Sequence, residues 1–370
     1  MKKHIVLATG LALLSTSAFA TKSRMEALGQ DTGRGSHYIK DTRSIFRNAA
    51  QVNNFKNYIV TEWGTEATGA DTAEGGFFRE MGSFTYGLYL GSELGEAQQT
   101  AKNTAGYLSQ TNRTQLFIGG DMGVQWGANL YYATNKDEQA TTFEKKNNAF
   151  GLGLGAIFGD IEGYANLDIS DKSEGRTGGV AGDKWEGDLG LDLGLSYSWN
   201  AWTFFAEYDM SGAEDQRTGS KTEYSDDMLT VGAGYIHEVS STARLVSDFS
   251  FVMHNQEIKT TTKVEQKETY LPLTLGFEAD ATSWLTLRGS VSQNIFLANQ
   301  KGDLTTVANN SKTKTRTNTT DVAAGATLTF GKLMVDGMIG TTSNAGAAST
   351  EDGTLSLDRL LTKVAVHYWF

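Results

Sequence analysis

The stretch WEGDLGLDLGLSYSW, Trp185 to Trp199, alternates with a period of two, which only an extended strand satisfies. Trp185, Leu189, Leu191, Leu193, Leu195, Tyr197 and Trp199 fall on one face. Glu186, Asp188, Gly190, Asp192, Gly194, Ser196 and Ser198 fall on the other. Aromatic residues bracket the apolar face and aliphatic ones lie between them. That banding is expected of a strand crossing both interfaces of a bilayer.

The same pattern recurs along the chain. Polar turns at Gly159-Asp160, Asn200-Ala201, Val239 to Thr242, Asp280 to Ser283 and Gly331-Lys332 alternate with longer charged or Ser/Thr/Gly-rich stretches at 135–147, 172–183, 212–225, 259–265, 298–317 and 343–360. Short turns opposite long loops predict a bacterial outer-membrane barrel. The expected fold is all-β: a transmembrane, antiparallel, up-and-down barrel of about 14 strands over 57–370. Those strands are 57–65, 84–91, 124–134, 148–159, 161–171, 184–199, 202–211, 226–238, 243–258, 266–279, 284–297, 318–330, 333–342 and 361–370. Gln115 to Gly120 also reads as a strand, but counting it makes the number odd, so it is placed outside the membrane. Pro272 cannot donate to a ladder and implies a bulge.

Lys2 and Lys3, an apolar run from Ile5 to Leu14 and Ala18-Phe19-Ala20 form a signal peptide over 1–20. Without it the chain carries 30 basic and 43 acidic residues, a formal charge of −13, which argues against nucleic acid as a partner. Cysteine is absent, so neither disulfides nor thiolate chemistry are in use. His4, His37, His237, His254 and His367 show no ligand spacing, and no metal or cofactor is expected. The glycines of Gly151 to Gly155 alternate along a strand and make wall, not a nucleotide loop. Ser250 and His254 share a face but are not assigned a catalytic role. Asp226-Asp227 and Glu351-Asp352 are acidic pairs suited to contact lipopolysaccharide through divalent cations.

The inward set is acidic: Glu162, Asp168, Glu186, Asp188, Asp192, Glu207, Asp209, Glu238, Asp248, Glu278 and Asp336 against Arg244, Arg288 and Lys363. A water-filled lumen so lined favours cations. Polarity alone does not prove permeation, because a charge facing mid-bilayer costs about 2 to 4 kcal/mol and must turn inward anyway. Residues 21–56 carry the opposite sign, a net of +4, and are expected to fold into the lumen as a plug. Within them Asp41 to Val52 reads as a short helix with Asp41 as its N-cap and Arg43, Arg47, Asn48, Ala49 and Ala50 on it.

Val364, Val366, Tyr368 and Phe370 alternate outward and end on the terminal phenylalanine. This resembles the C-terminal signal through which outer-membrane barrels meet their assembly machinery, and implies outer-membrane lipid and lipopolysaccharide as surroundings. Ala27-Leu28-Gly29, Asp41 and Phe46-Arg47-Asn48-Ala49-Ala50 are similar to the N-terminal region of the fourteen-stranded long-chain fatty-acid transporter family. In that family an Asn-Pro-Ala box lies in a luminal hatch; Ala49 stands in the place of its proline. The residues themselves favour a plugged channel for small hydrophilic or cationic solutes. The resemblance implies an apolar-substrate transporter, in which Phe205, Ile157, Ile236 and Phe296 would have to join into a greasy track; a lateral gap in the wall would favour that reading. A non-conducting structural barrel working through its loops is the third reading.

Overall fold

The computed structural model describes residues 21–65, 71–92, 97–138, 144–180, 182–297, 319–341 and 363–370. The signal peptide and all of 298–317 and 343–360, Glu351-Asp352 included, lie outside these residues. One closed sheet holds seventeen segments: β1 Tyr58–Thr65, β2 Asp71–Met81, β3 Phe84–Leu90, β4 Thr114–Asp121, β5 Gln125–Asp137, β6 Lys145–Phe158, β7 Ile161–Glu174, β8 Lys184–Gly187, β9 Gly190–Trp199, β10 Trp202–Arg217, β11 Ser220–Ser240, β12 Ala243–Lys259, β13 Lys263–Thr282, β14 Leu285–Leu297, β15 Asp321–Phe330, β16 Leu333–Thr341 and β17 Lys363–Trp369. β8 and β9 share both neighbours, β7 and β10, and make one interrupted stave. β1 pairs with β2 on one side and β17 on the other, so the barrel closes antiparallel throughout with sixteen staves.

Sixteen corrects the expected fourteen. Gln115 to Gly120 is not outside the membrane but is the body of β4, paired with β3 and β5. The parity argument excluded it only because β2, whose adjacent Gly75-Gly76 and Phe77-Phe78 blur any alternation, went unseen. The polar stretches 212–225 and 259–265 are likewise strand, since β10 and β11 run on to a tight hairpin at Thr218-Gly219 and β12 and β13 to one at Thr260 to Thr262. Pro272 does sit at a register shift in β13.

Leu193, Leu195, Tyr197 and Trp199 of β9, Phe204 of β10, Phe249 and Phe251 of β12, and Leu275 and Phe277 of β13 are exposed on the outer face. Such an apolar belt, about 25 Å tall, is what lipid requires of a closed barrel. Trp199, Trp202, Trp284, Phe330 and Tyr368 ring its short-turn end. Phe370 donates its N–H to Asn57 O at 3.0 Å, and Trp369 stacks on Tyr58 at 4.8 Å, so the C-terminal motif also seals the last stave to the first.

The alternation that opens the argument breaks at Asp188-Leu189. Below the break the even residues Gly190, Asp192 and Ser196 face inward, while above it Trp185 is wholly buried, packed with Tyr107 and Ala213. Trp185 is therefore luminal, and Glu186 and Asp188 are not luminal but on the outer face. Glu186 lies opposite Glu214, and the Asp188 carboxylate lies against Gly212. The cause is one extra residue relative to β10: Leu191 pairs with Met210, but Gly187 pairs with Ala213. A one-residue slip flips every side chain beyond it. β7 slips at the same height against β6, where Phe150 pairs with Ser170 but Gly151 with Asp168. The two staves turn over together.

Candidate functional site

Residues 21–57 lie inside the barrel and touch it on all sides. α1 (Lys22–Ala27) is capped by Thr21, whose Oγ1 accepts from Arg24 N. The helix predicted from Asp41 is split: α2 (Ser44–Arg47) ends at Asn48, which is extended and caps a 3₁₀ turn over Ala49–Asn53 by accepting the Ala50 N–H at 3.0 Å. Asp41 instead accepts from Arg43 N at 2.7 Å, just before α2. Room for this turn comes from glycine on the wall. A Cβ at Gly127 would lie 2.2 Å from Ala49 O, and one at Gly155 would lie 1.8 Å from Asn48 Oδ1.

Apolar packing and charge then hold the segment. Ile45, Phe46, Val52 and Phe55 pack with Tyr58, Val60, Phe78, Tyr89 and Phe117, while Met25, Leu28, Tyr38 and Ile39 pack with Val246 and Ile236. Arg24 forks onto Glu278 with Nε at 2.7 Å and Nη2 at 3.2 Å, and reaches Asp41 at 3.2 Å. Arg43 pairs with Glu74 and lies 3.6 Å from Glu62, with its guanidinium 4.3 Å over the Phe46 ring. Arg34 Nη1 meets Asp192 at 2.7 Å and Asp209 at 2.9 Å. Lys40 reaches Glu162 at 2.5 Å, and Arg47 lies 3.5 Å from Glu207. His37 stacks on Phe205 at 4.2 Å with Nε2 2.8 Å from Glu207. Burial first and the Arg47 charge second pull the His37 pKa below its ordinary 6.5, against the pull of Glu207. Burial pushes Asp41 up to about 6, against the Arg24 charge.

Of the residues predicted to shape the lumen, Glu162, Asp168, Asp192, Glu207 and Asp209 gather on one side of it. Arg244 and Arg288 lie elsewhere, at 2.7 and 3.1 Å from Glu278, beside Arg24. The sequence reading missed Glu62 and Glu74, the Arg43 partners; Glu74 lies on the unseen β2. It also misplaced Asp226, which is buried and accepts from Gln256 at 2.6 Å, 3.0 Å from His254 Nε2, rather than standing free with Asp227. Ser250 and His254 are four residues apart along one strand, about 13 Å at strand rise, too far for a nucleophile and its base. Phe205 and Ile236 are covered by the N-terminal segment and do not join into a track; the side chain of Phe296 lies outside those described.

Above the segment is a cavity of about 310 Å³. Two transverse rows of paired residues build its wall. The lower runs Asn129, Gly153, Asn166, Asp192, Asp209, Met228, His254 across seven staves, and all seven line the cavity. The upper runs Gln115, Tyr131, Gly151, Asp168, Gly190; the Tyr131 hydroxyl crosses Gly151 to bond Asp168. Phe46 and Met228 add apolar lining, whereas Leu152, Leu167, Leu191 and Met210 alternate with the inward row and turn their side chains to the outer face. Asp168 with Gly190 is also the last pair before the break, and β7 and β8 pair again only at Lys172 with Glu186. The ladder between these staves is open at 169–171, directly beside the cavity.

A closed antiparallel barrel with an apolar belt, a girdle of aromatics and a terminal phenylalanine defines an outer-membrane β-barrel protein. No protein-family profile matches the chain, and neither does any curated protein. Among solved structures it is similar to a FadL homologue of Pseudomonas aeruginosa, at 10% identity over 96% of this chain and 99% of the other with a TM-score of 0.43. It is also similar to the CymD monoaromatic hydrocarbon channel, at 11% identity over 95% and 99% with a TM-score of 0.42. A third is the Ralstonia pickettii toluene transporter TbuX, at 12% identity over 95% and 98% with a TM-score of 0.39. No cargo follows from likeness at this level.

Proposed function

We propose that the protein is a plugged outer-membrane transporter that passes small, mainly apolar molecules through its wall instead of straight along its axis. The coincidence of the cavity with the open ladder between β7 and β8–β9, at one height, carries this reading. Residues 21–56 act as the plug. Drawing them out would break several buried ion pairs, each worth about 3 to 5 kcal/mol when one partner is lost. The seam at 169–171 and 187–189 has no ladder pairing to break. Exposed Ile169 and Leu189 flank it on the lipid side, and Leu167 and Leu191 lie just below. Conduction of hydrophilic cations, the expectation from an acidic lumen, is the weaker reading because Arg34, Arg47 and His37 already engage Asp192, Glu207 and Asp209.

The test is entry of the apolar fluorophore N-phenyl-1-naphthylamine into cells that make the barrel. Ser170→Cys and Asp188→Cys place thiols at positions that the flanking register sets opposite each other across the seam. Entry should exceed that of cells lacking the barrel, fall when the pair is oxidised and return on reduction. Entry no faster than in the control, or indifferent to the staple, overturns the reading.

A further inference from the structure

The two rows of the cavity are unusual in what they leave unbonded. Gln115 is wholly buried; its Oε1 accepts from Ser92 at 2.8 Å, yet its Nε2 has no partner among the described residues. Asn129 is 6% exposed and its Oδ1 is likewise unmatched. Asp192 is 4% exposed; Oδ2 takes Arg34 and Asn166, at 2.7 and 2.9 Å, and Oδ1 takes nothing. Buried polar atoms left without a partner cost about 1 to 3 kcal/mol each, so three lining one cavity point to a ligand that satisfies them. Two of the three are acceptors, one a carboxylate oxygen.

Charge selects further. Asp31, Asp168, Asp192, Glu207, Asp209 and Asp226 line the cavity against Arg34 and Arg113. Arg34 is spent on Asp192 and Asp209, and the Arg113 guanidinium lies 3.5 Å over the Tyr131 ring. Space is created in the middle of the row by Gly153, where a Cβ would come within 2.6 Å of Asn166 Oδ1 and 3.4 Å of the Asn129 Cβ. Phe46 and Met228 offer the apolar part of the lining.

We propose that this cavity binds small amphipathic amines, the ammonium donating to Asp192 Oδ1 while the alkyl body lies along Phe46 and Met228. Gln115 Nε2 donates to any acceptor beside the amine. This deepens the transport reading and rests on it only for the route out; binding is a separate measurement. An ammonium at Asp192 also competes with Arg34 for the same carboxylates, which ties occupancy of the cavity to the hold on the plug.

The test is calorimetric titration of the full-length mature protein in zwitterionic nanodiscs, with empty discs subtracted, using hexylamine, 1-hexanol and hexanoate at pH 7.5. Hexylamine is expected to bind at least tenfold more tightly than hexanol, with hexanoate weakest and the amine preference reduced by salt. Asp192→Asn should abolish the preference. Gln115→Met, which removes a donor that hexylammonium cannot use, and Asn129→Leu, three staves along the row from Asp192, should leave the amine preference in place. Equal affinity for amine and alcohol, hexanoate binding best through Arg113, or a preference that survives Asp192→Asn overturns the proposal. Amine selectivity without fluorophore entry removes the transport reading and keeps this one; entry without head-group selectivity does the reverse.

Discussion

Arg24 and Glu278, 254 positions apart, meet as a two-point fork across the lumen, with Nε on one carboxylate oxygen and Nη2 on the other. Glu278 also accepts Arg244 and Arg288, at 2.7 and 3.1 Å, so a single carboxylate organises three guanidiniums. Arg24→Met removes the plug from this arrangement while leaving Glu278 compensated. The expected cost to docking of residues 21–56 is about 3 kcal/mol, at the low end for a buried pair. Faster tryptic cleavage within 21–56, with the barrel itself intact, is the readout.

Acid should loosen the plug through His37. Its pKa is lowered when docked, so the docked form stays neutral at pH 7 and is disfavoured once the released form takes up a proton. The contribution of His37 to docking is present above the ordinary value of 6.5 and is lost as pH falls below it through the lowered docked value. Asp41, raised to about 6, works the other way: its share is present below the ordinary 3.8 and lost as pH rises through 6. Because the two groups oppose each other over this range, the test is the difference: on going from pH 7.5 to 5, protease access should fall more in His37→Phe, which keeps the ring against Phe205, than in the wild type.

Gly155→Val tests the close approach of plug and wall. The new side chain points at Asn48 and the Ala50 N–H, with no neighbour there able to retreat except the turn itself. Overpacking of about 1 to 3 kcal/mol should displace residues 48–50. The heat-dependent gel shift of a folded barrel should remain, whereas the thermal transition of the plug should move down by several degrees.

Deleting 21–56 should convert a closed barrel into a conducting one. Asp192, Glu207, Asp209 and Glu278 then lose Arg34, Arg47, His37 and Arg24, and the freed carboxylates should make potassium more permeant than chloride in planar bilayers under a KCl gradient. Silence from both forms of the protein contradicts this expectation.

Much of the wall was legible because lipid enforces a period of two wherever a strand is bathed by it. Leu193 to Trp199 obey, and so do Phe249 and Phe251. β2 was not legible, because Gly75, Gly76, Phe77 and Phe78 give neighbouring positions the same character. Trp185, Glu186 and Asp188 were assigned to the wrong faces for a different reason: a bulge leaves composition unchanged and shows only in the partner register. The basic segment and its acidic cylinder were visible as opposite charges, but which arginine meets which carboxylate depends on a path through the lumen that no local pattern encodes. The rows that line the cavity join residues from seven staves, so their members are neighbours only after closure.

The paired slips in β7 and β8–β9 make the outer end of that hairpin a cassette. What lies beyond them, from Ser170 to Asp188, takes its inside and outside from the two extra residues and not from the barrel below. A deletion in one stave alone would turn half the cassette inside out. Matched deletions in both would set it back in frame with the staves beneath, exchanging the faces of Trp185 and Glu186, and would restore an uninterrupted ladder. The same sequence can thus be read in two frames, and two residues decide between a wall with a seam and a wall without one.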